Sequence, residues 1–291
     1  MYPAPFEYHR AATVDEALAL LSQYGEDGKL IAGGHSLLPV MKLRFAQPAH
    51  LIDIRRVPEL AGIREENGVL RIGATTTHAA VAGSDVIRHH VPMLAEAAGQ
   101  IADAQVRNMG TIGGSLAHAD PAADLPAVAL ALGAELRAVG RRGPRSIPVD
   151  EFFTGMFSSA LASDEVLVEV RVPIPPAQTG GAYEKYPDPA SGYALVGVAA
   201  TVTLRDGGAV QRARVAMTGY AANAARLTSV EEALTGQPGT PERIEAAARR
   251  AIEGVEPRDG GGNAAHRANL VAVYTRRALT RAAERAAKRP A

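Results

Sequence analysis

The chain has 291 residues, of which 47% are hydrophobic and 21% charged; this excludes wholesale disorder and leaves apolar material for about two domain cores. Lys+Arg and Asp+Glu both number 31, so there is no global positive field to recruit nucleic acid or an anionic membrane. Cysteine is absent, which rules out a disulfide, a thiolate zinc site, a thiol nucleophile and an iron–sulfur cluster held by this chain's own thiolates.

The opening MYPAPFEYHR lacks a basic segment followed by an apolar one, so no secretory signal is expected. No apolar run reaches the roughly 18 residues of a membrane span, and the expected compartment is the cytoplasm. Glu7 to Arg10 reads as a short strand. Thr13-Val14-Asp15-Glu16 has the form of a capping box that opens a helix running to Gly25. A strand at Lys29 to Ala32 ends in Gly33-Gly34. A helix from Leu37 to Arg44 and a strand from His50 to Ile54 follow. This β-α-β-loop-α-β opening predicts an α/β or α+β fold.

Val69 to Gly73 reads as a strand, and helical pieces cover roughly 81–102. A second glycine-rich turn lies at Arg107 to Ser115. A helix at Leu125 to Leu132 then leads to strands at Glu135 to Val139 and Glu165 to Val172. Pro173 to Gly181 reads as a linker. Beyond it come consecutive strands near Ala182–Tyr186, Tyr193–Leu204 and Val210–Met217, with Arg205 to Gly208 as a hairpin turn. Helices are expected from a capping box at Thr228 to Glu231, from Thr240-Pro241, and from about Asn263 to Ala287. A second domain is therefore placed at 178–291. The last helix carries Arg267, Arg276, Arg277, Arg281, Arg285, Lys288 and Arg289 against one acid, Glu284. It reads as a solvated face or as a partner-docking surface; without aromatic platforms it does not read as a nucleic-acid site.

Two segments carry the chemistry: Ala32-Gly33-Gly34-His35-Ser36-Leu37 and Thr111-Ile112-Gly113-Gly114-Ser115. Paired glycines permit positive φ, can turn successive backbone N–H groups toward one point, and remove the Cβ atoms that would hold a pyrophosphate away. Ser36, Thr111 and Ser115 add hydroxyl donors. Neither segment is a P-loop or a Gly-x-Gly-x-x-Gly dinucleotide turn. His118-Ala119-Asp120 and Asp124 follow directly. Asp124 reads either as a helix N-cap or as a carboxylate aimed at a bound cofactor. The eight histidines show no zinc-ligand spacing, no Gly-x-Ser-x-Gly elbow is present, and no metal ligand is expected on this chain.

AGGHSLLPVMKLR at 32–44 and TIGGSLAHADPAADLP at 111–126 resemble the two signature segments of the FAD-binding medium subunits of molybdenum hydroxylases. That family includes aerobic carbon monoxide dehydrogenase medium subunits and the FAD domain of xanthine dehydrogenase. The resemblance extends through PFEYHR, LIDIRRVPEL at 51–60, FFTG at 152–155 and the C-terminal part. It implies an α+β fold: a vanillyl-alcohol-oxidase (PCMH-type) FAD-binding domain of two α/β subdomains, at about 1–57 and 58–177, plus an α+β flavoprotein C-terminal domain at 178–291. It also implies FAD contacts from Ala32, Gly33, Gly34, His35, Ser36, Leu37, Thr111, Ile112, Gly113, Gly114, Ser115, His118 and Asp124. Ile101 and Leu167 match apolar positions lining the cofactor, Lys185 a lysine near the flavin, and Tyr193 a tyrosine beside the isoalloxazine. Read from the residues alone, Lys185 also fits a strand-edge surface lysine and Tyr193 a core aromatic.

The implied partners are a large subunit with a molybdopterin cofactor and a small subunit with [2Fe–2S] clusters, assembled as a dimer of heterotrimers, with peripheral membrane association only through the complex. Electrons would reach FAD from the clusters and leave to a quinone, NAD or another acceptor. Two departures stand out: Ser115 replaces an Asn common among relatives, and Tyr186 to Ser191 lacks the basic run associated with carbon monoxide dehydrogenases, which leaves the reducing substrate open. The rival readings are a stand-alone flavoenzyme and a flavin-less nucleotide-binding scaffold subunit.

Overall fold

Thr13 is extended (φ −136°, ψ 165°), and its hydroxyl accepts from the Glu16 N–H at 3.1 Å while Glu16 accepts from the Ala12 N–H at 2.7 Å. This reciprocal cap starts α1 (Val14–Tyr24), and Gly25, at φ 55°, ends it. The chain is known here from a computed structural model that describes residues 2–259 and 263–289. α1 connects β1 (Glu7–Arg10) to β2 (Gly28–Ile31), and α2 (Leu37–Lys42) leads on to β3 (His50–Asp53). The strands are parallel in the order β1-β3-β2, as the β-α-β-loop-α-β pattern predicts. Their core is built from Ala17, Leu21, Ile52 and Ile54.

Asn67 and Gly68 both take positive φ (51° and 75°) and join β4 (Ile63–Glu66) to β5 (Val69–Gly73). Five helices follow: α3 (His78–Gly83), α4 (Asp85–His90), α5 (Pro92–Gly99), α6 (Ala104–Met109) and α7 (Ile112–His118). Next comes α8 (Asp124–Leu132), every residue of which is buried. β6 (Glu135–Gly140) and β7 (Gly143–Pro148) form a hairpin. A small ribbon of β8 (Phe153–Gly155) and β9 (Ser158–Ser159) precedes β10 (Val166–Pro173). The second sheet is antiparallel with order β4-β5-β10-β6-β7.

The third sheet, also antiparallel, has the order β11 (Thr179–Pro187), β12 (Ala194–Leu204), β13 (Val210–Thr218), β14 (Ala225–Arg226). Side chains alternate across it. Val196, Val198 and Val202 face the core shared with α9 (Thr228–Leu234), α10 (Pro241–Ala248) and α11 (Ala264–Lys288). Tyr183, Ala199 and Ala216, in register across three strands, face the other way and join the core around α5 and α8. α8 is apolar all round because it is covered by a sheet on either side.

Several expectations are corrected. Gly180-Gly181 is not linker but strand: a Cβ on Gly180 would strike Ala282 O and Ala286 N, so the bare strand lets α11 lie against it. Thr228 does not cap α9. The helix begins on Leu227 without a side-chain cap, and Glu231 instead accepts from the Val215 N–H at 2.8 Å. The basic face of α11 is partly solvated, with Arg276, Arg277, Arg281 and Lys288 exposed, but most of its arginines have partners. Arg267 is buried against the Gly219 carbonyl at 2.9 Å, and Arg276 pairs with Glu245 at 3.1 Å. Arg277 lies over the Tyr274 ring, Arg281 pairs with Glu184 at 3.0 Å, and Arg285 with Glu96 at 2.6 Å. Arg289 donates to the His89 carbonyl at 2.9 Å. Among the described residues no helix is long and apolar enough to cross a membrane.

Candidate functional site

The first diglycine segment leaves β2 at the C-terminal end of the parallel sheet, where α/β proteins bind ligands. Gly34 sits at φ 75°, a conformation only glycine adopts freely. Leu38 N–H donates to Gly34 O at 2.9 Å and Val40 N–H to Ser36 O at 3.3 Å, which starts α2. No described group accepts from the N–H groups of Gly33, Gly34, His35, Ser36 or Leu37. A run of unengaged amides on a turn into a helix is a nest suited to an extended anion.

The second segment has a different form from the one expected. It is not a loop: Thr111 is an N-cap whose hydroxyl accepts from the Gly114 N–H at 3.1 Å, and Ile112-Gly113-Gly114 is the first turn of α7. Neither Gly113 nor Gly114 has positive φ. Residues 110–113 run along 74–78: His78 N–H donates to Gly110 O at 2.9 Å, Ile112 N–H to Thr76 O at 3.0 Å, and Gly113 N–H to Ala74 O at 2.9 Å. The amides of Ile112, Gly113 and Gly114 are therefore engaged, which removes the proposed symmetry of two equal cradles.

The glycines divide their tasks. A Cβ on Gly33 would stand 2.7 Å from Gly110 Cα and closer still to Met109 O, so the two signature segments abut backbone to backbone. A Cβ on Gly113 would lie 2.5 Å from Ala74 Cβ, so this glycine serves packing. Gly114 is exposed, and its Cβ would meet only the Thr111 hydroxyl, at 2.8 Å. That bare helix edge is where an outside group can come close. Beneath the junction lies His78, a residue the sequence reading missed. It is 5% exposed, with Nδ1 unpaired, and burial first, then the nearby His35, lowers its pKa to about 4.

α7 ends in left-handed Ala119, and the chain then turns onto the third sheet. Pro121 O accepts from Thr218 Oγ1 and from Gly219 N–H, both at 2.7 Å, and Ala122 O from Ala194 N–H at 3.1 Å. Asp124 thereby enters α8 at its first position. Its carboxylate does not cap the helix; Ala123 is the N-cap. Instead it accepts from the Tyr183 hydroxyl at 2.5 Å and from Lys185 Nζ at 3.0 Å. Tyr183 and Lys185 are two residues apart on β11 and so share a face. Gly197, opposite Lys185 on β12, leaves room for the Tyr183 ring to reach across.

The Asp124 and Lys185 side chains are 6% and 3% exposed, so Lys185 is not the surface lysine of the alternative reading. Burial raises the Asp124 pKa against the opposing pull of Lys185 and Tyr183, and burial also drives the Tyr183 phenol well up. Lys185 Nζ also reaches Gln100 O at 3.4 Å, beside half-buried Ile101. Tyr193, between β11 and β12, is 45% exposed and not a core aromatic. Its phenol is raised by partial burial and by the charges of Asp120 and Asp124. His118 lies 5.2 Å from the Phe157 ring, and burial lowers its pKa. Leu167, 6% exposed, is taken up by the central core.

The glycine nest abuts the second signature segment through Gly33 and Gly110, and α7 leads from there to the buried acid–lysine pair at the start of α8, features suited to holding a nucleotide cofactor. The comparisons make this specific. Residues 4–175 match the model of the FAD binding domain in molybdopterin dehydrogenase, and residues 181–282 that of the CO dehydrogenase flavoprotein C-terminal domain. The chain is 46% identical over 288 residues to the carbon monoxide dehydrogenase medium chain of Hydrogenophaga pseudoflava, covering 99% of this chain and 100% of that one. It is 42% identical to 6-hydroxypseudooxynicotine dehydrogenase complex subunit alpha of Paenarthrobacter nicotinovorans, covering 98% and 97%. The solved carbon monoxide dehydrogenase of Hydrogenophaga pseudoflava superposes with a TM-score of 0.94 at 47% identity, covering 98% and 99% of the two chains. Quinoline 2-oxidoreductase of Pseudomonas putida 86 superposes with a TM-score of 0.91 at 34% identity, covering 98% and 99%. The protein is thus the flavoprotein subunit of an oxidoreductase. It belongs to the family of FAD-binding medium subunits of molybdenum hydroxylases.

Proposed function

We propose that this chain binds FAD between its two signature segments, accepts electrons from the [2Fe–2S] clusters of a small partner subunit, and passes them to an external acceptor such as a quinone or NAD. The observation that carries the reading is the backbone junction of Gly33 with Met109 and Gly110, which brings the first signature segment, with its free amides of Gly33 to Leu37, against the start of the second. The amides and the Ser36 hydroxyl would hold the pyrophosphate, with Ser115 on α7 and its N-cap residue Thr111 as further hydroxyls. His35 and His118 flank the site as packing groups. When bound, FAD supplies the conversion between one-electron and two-electron transfer.

Lys185 and Asp124 act as a pair. Their charges cancel locally, so the pair fixes the position of β11 against α8 and offers the flavin an oriented dipole in place of a bare positive charge. Tyr193 presents a half-exposed ring suited to stacking, and Ile101 and Leu167 supply apolar wall. We assign residues 1–177 to the FAD-binding part and 178–291 to the flavoprotein C-terminal part. The partners are a large molybdopterin subunit and the small iron–sulfur subunit, in a dimer of heterotrimers of the carbon monoxide dehydrogenase type. The test is spectroscopic: the full chain takes up one FAD, and the flavin bleaches with reducing substrate only when both partner chains are present. Bleaching by a small substrate with this chain alone would establish a stand-alone flavoenzyme instead.

A further inference from the structure

We propose that Glu7, His9 and His50 bind a divalent transition metal of the zinc class, joining β1 to β3 at the end of the sheet opposite the cofactor nest. Glu7 and His9 lie two residues apart on β1 and share a face, and His50 stands in register with Glu7 on the neighbouring parallel strand. Their donor atoms converge: His9 Nε2 to His50 Nδ1 is 3.0 Å, Glu7 Oε2 to His50 Nδ1 3.5 Å, and Glu7 Oε2 to His9 Nε2 3.8 Å. Ligands about 2.0–2.1 Å from a tetrahedral zinc stand about 3.3 Å from one another, close to this triangle. Two imidazoles and a carboxylate suit zinc, copper or nickel, whereas calcium and magnesium take oxygen donors.

The imidazoles are held in place before any ion arrives. The Tyr24 ring stacks on His50 at 3.7 Å with an interplanar angle of 13°, and on His9 at 4.7 Å and 29°. The side chains of His9 and His50 are 21% and 20% exposed and that of Glu7 72%, so water can fill the fourth position. Sequence spacing misses this set because the third ligand, His50, lies on a strand that only folding brings beside β1. His50 pairs with Gly28 on β2, three residues before Ile31 and the glycine segment, or about 10 Å at roughly 3.3 Å per residue. The ion therefore clamps the first sheet and takes no part in the electron path. The inference does not rest on the FAD reading.

Without an ion, the same atoms form a His9–His50 hydrogen bond with the Glu7 carboxylate alongside, and a titration separates the two arrangements. The purified, untagged, chelator-stripped full chain is titrated with zinc chloride by calorimetry. The expected result is one saturable site that His9→Gln and His50→Gln each weaken at least tenfold, with no response to magnesium chloride. Glu7→Gln, at the most exposed position, weakens it without disturbing the far-ultraviolet dichroism. Absence of saturable zinc binding, or a site that persists unchanged in His9→Gln and His50→Gln, overturns the proposal.

Discussion

Replacing Gly33 with Ala tests the junction most directly. The new methyl would stand 2.7 Å from Gly110 Cα and 2.9 Å from the Met109 carbonyl carbon, with Met109 O nearer still. All three are backbone atoms, so no rotamer change relieves the clash. Restoring an ordinary 3.4 Å contact with Gly110 Cα requires the segments to part by about 0.7 Å. Overpacking of this kind costs about 1–3 kcal/mol. Spent on opening the cradle, it corresponds to a loss of roughly 5- to 150-fold in FAD affinity. The assay is fluorescence titration of deflavinated protein with FAD, with thermal unfolding run in parallel. Gly83→Ala is the control, since its Cβ meets nothing within 4 Å and its φ is not positive. If Gly33→Ala binds FAD as tightly as the parent protein, the backbone junction is not the cofactor cradle.

Gly114→Ala separates binding from stability. Alanine favours the helix by about 0.5–1 kcal/mol and the crowded Thr111 cap costs about 1 kcal/mol, so Tm should hardly move while FAD affinity drops tenfold or more; equal affinity would place the cofactor elsewhere. Lys185→Met strands the buried Asp124 carboxylate and should cost about 3–5 kcal/mol in urea unfolding, most of it recovered in the Lys185→Met, Asp124→Leu double variant. An equal deficit in single and double variants would mean the two charges do not pair. His78, with a folded pKa of about 4 against 6.5 in the unfolded chain, resists protonation when folded. The unfolded chain takes up the proton first, so stability is lost as pH falls from 6.5 toward 4, by about 3 kcal/mol in total. His78→Asn should flatten that part of the pH profile, measured by urea unfolding at stepped pH.

Local chemistry was readable from the sequence. The Thr13 cap, the strand that stops at Gly33, the β-α-β opening and the long final helix from Asn263 all follow from short-range signals that the fold obeys. Asn67-Gly68 is an equally plain hairpin signal, but Ile63-Arg64-Glu65-Glu66, which forms β4, is polar and does not read as a strand. What the sequence hid depends on contacts between distant elements. Gly113 and Gly114 look alike in one dimension, but Ala74 crowds only the first. From the sequence Asp124 reads as a helix cap or as a cofactor-facing carboxylate, because its partners, Tyr183 and Lys185, lie about 60 residues away. The pairing of the α11 arginines is hidden in one dimension because Glu96, Glu184 and Glu245 lie on other elements, although Arg276, Arg277 and Arg281 remain exposed as a solvated face would be.

If FAD binds as proposed, the clasp between Asp124 and β11, with the carbonyls of Pro121 and Ala122 seated on β12 and β13, links nucleotide occupancy to the docking of the C-terminal half. By reciprocity, whatever loosens the third sheet from α8 must also loosen the dinucleotide, and dinucleotide binding must tighten that seam by an equal free energy. A severed N-terminal half would carry every glycine of the nest and still bind poorly, because the wall that orders residues 119–124 belongs to the other half.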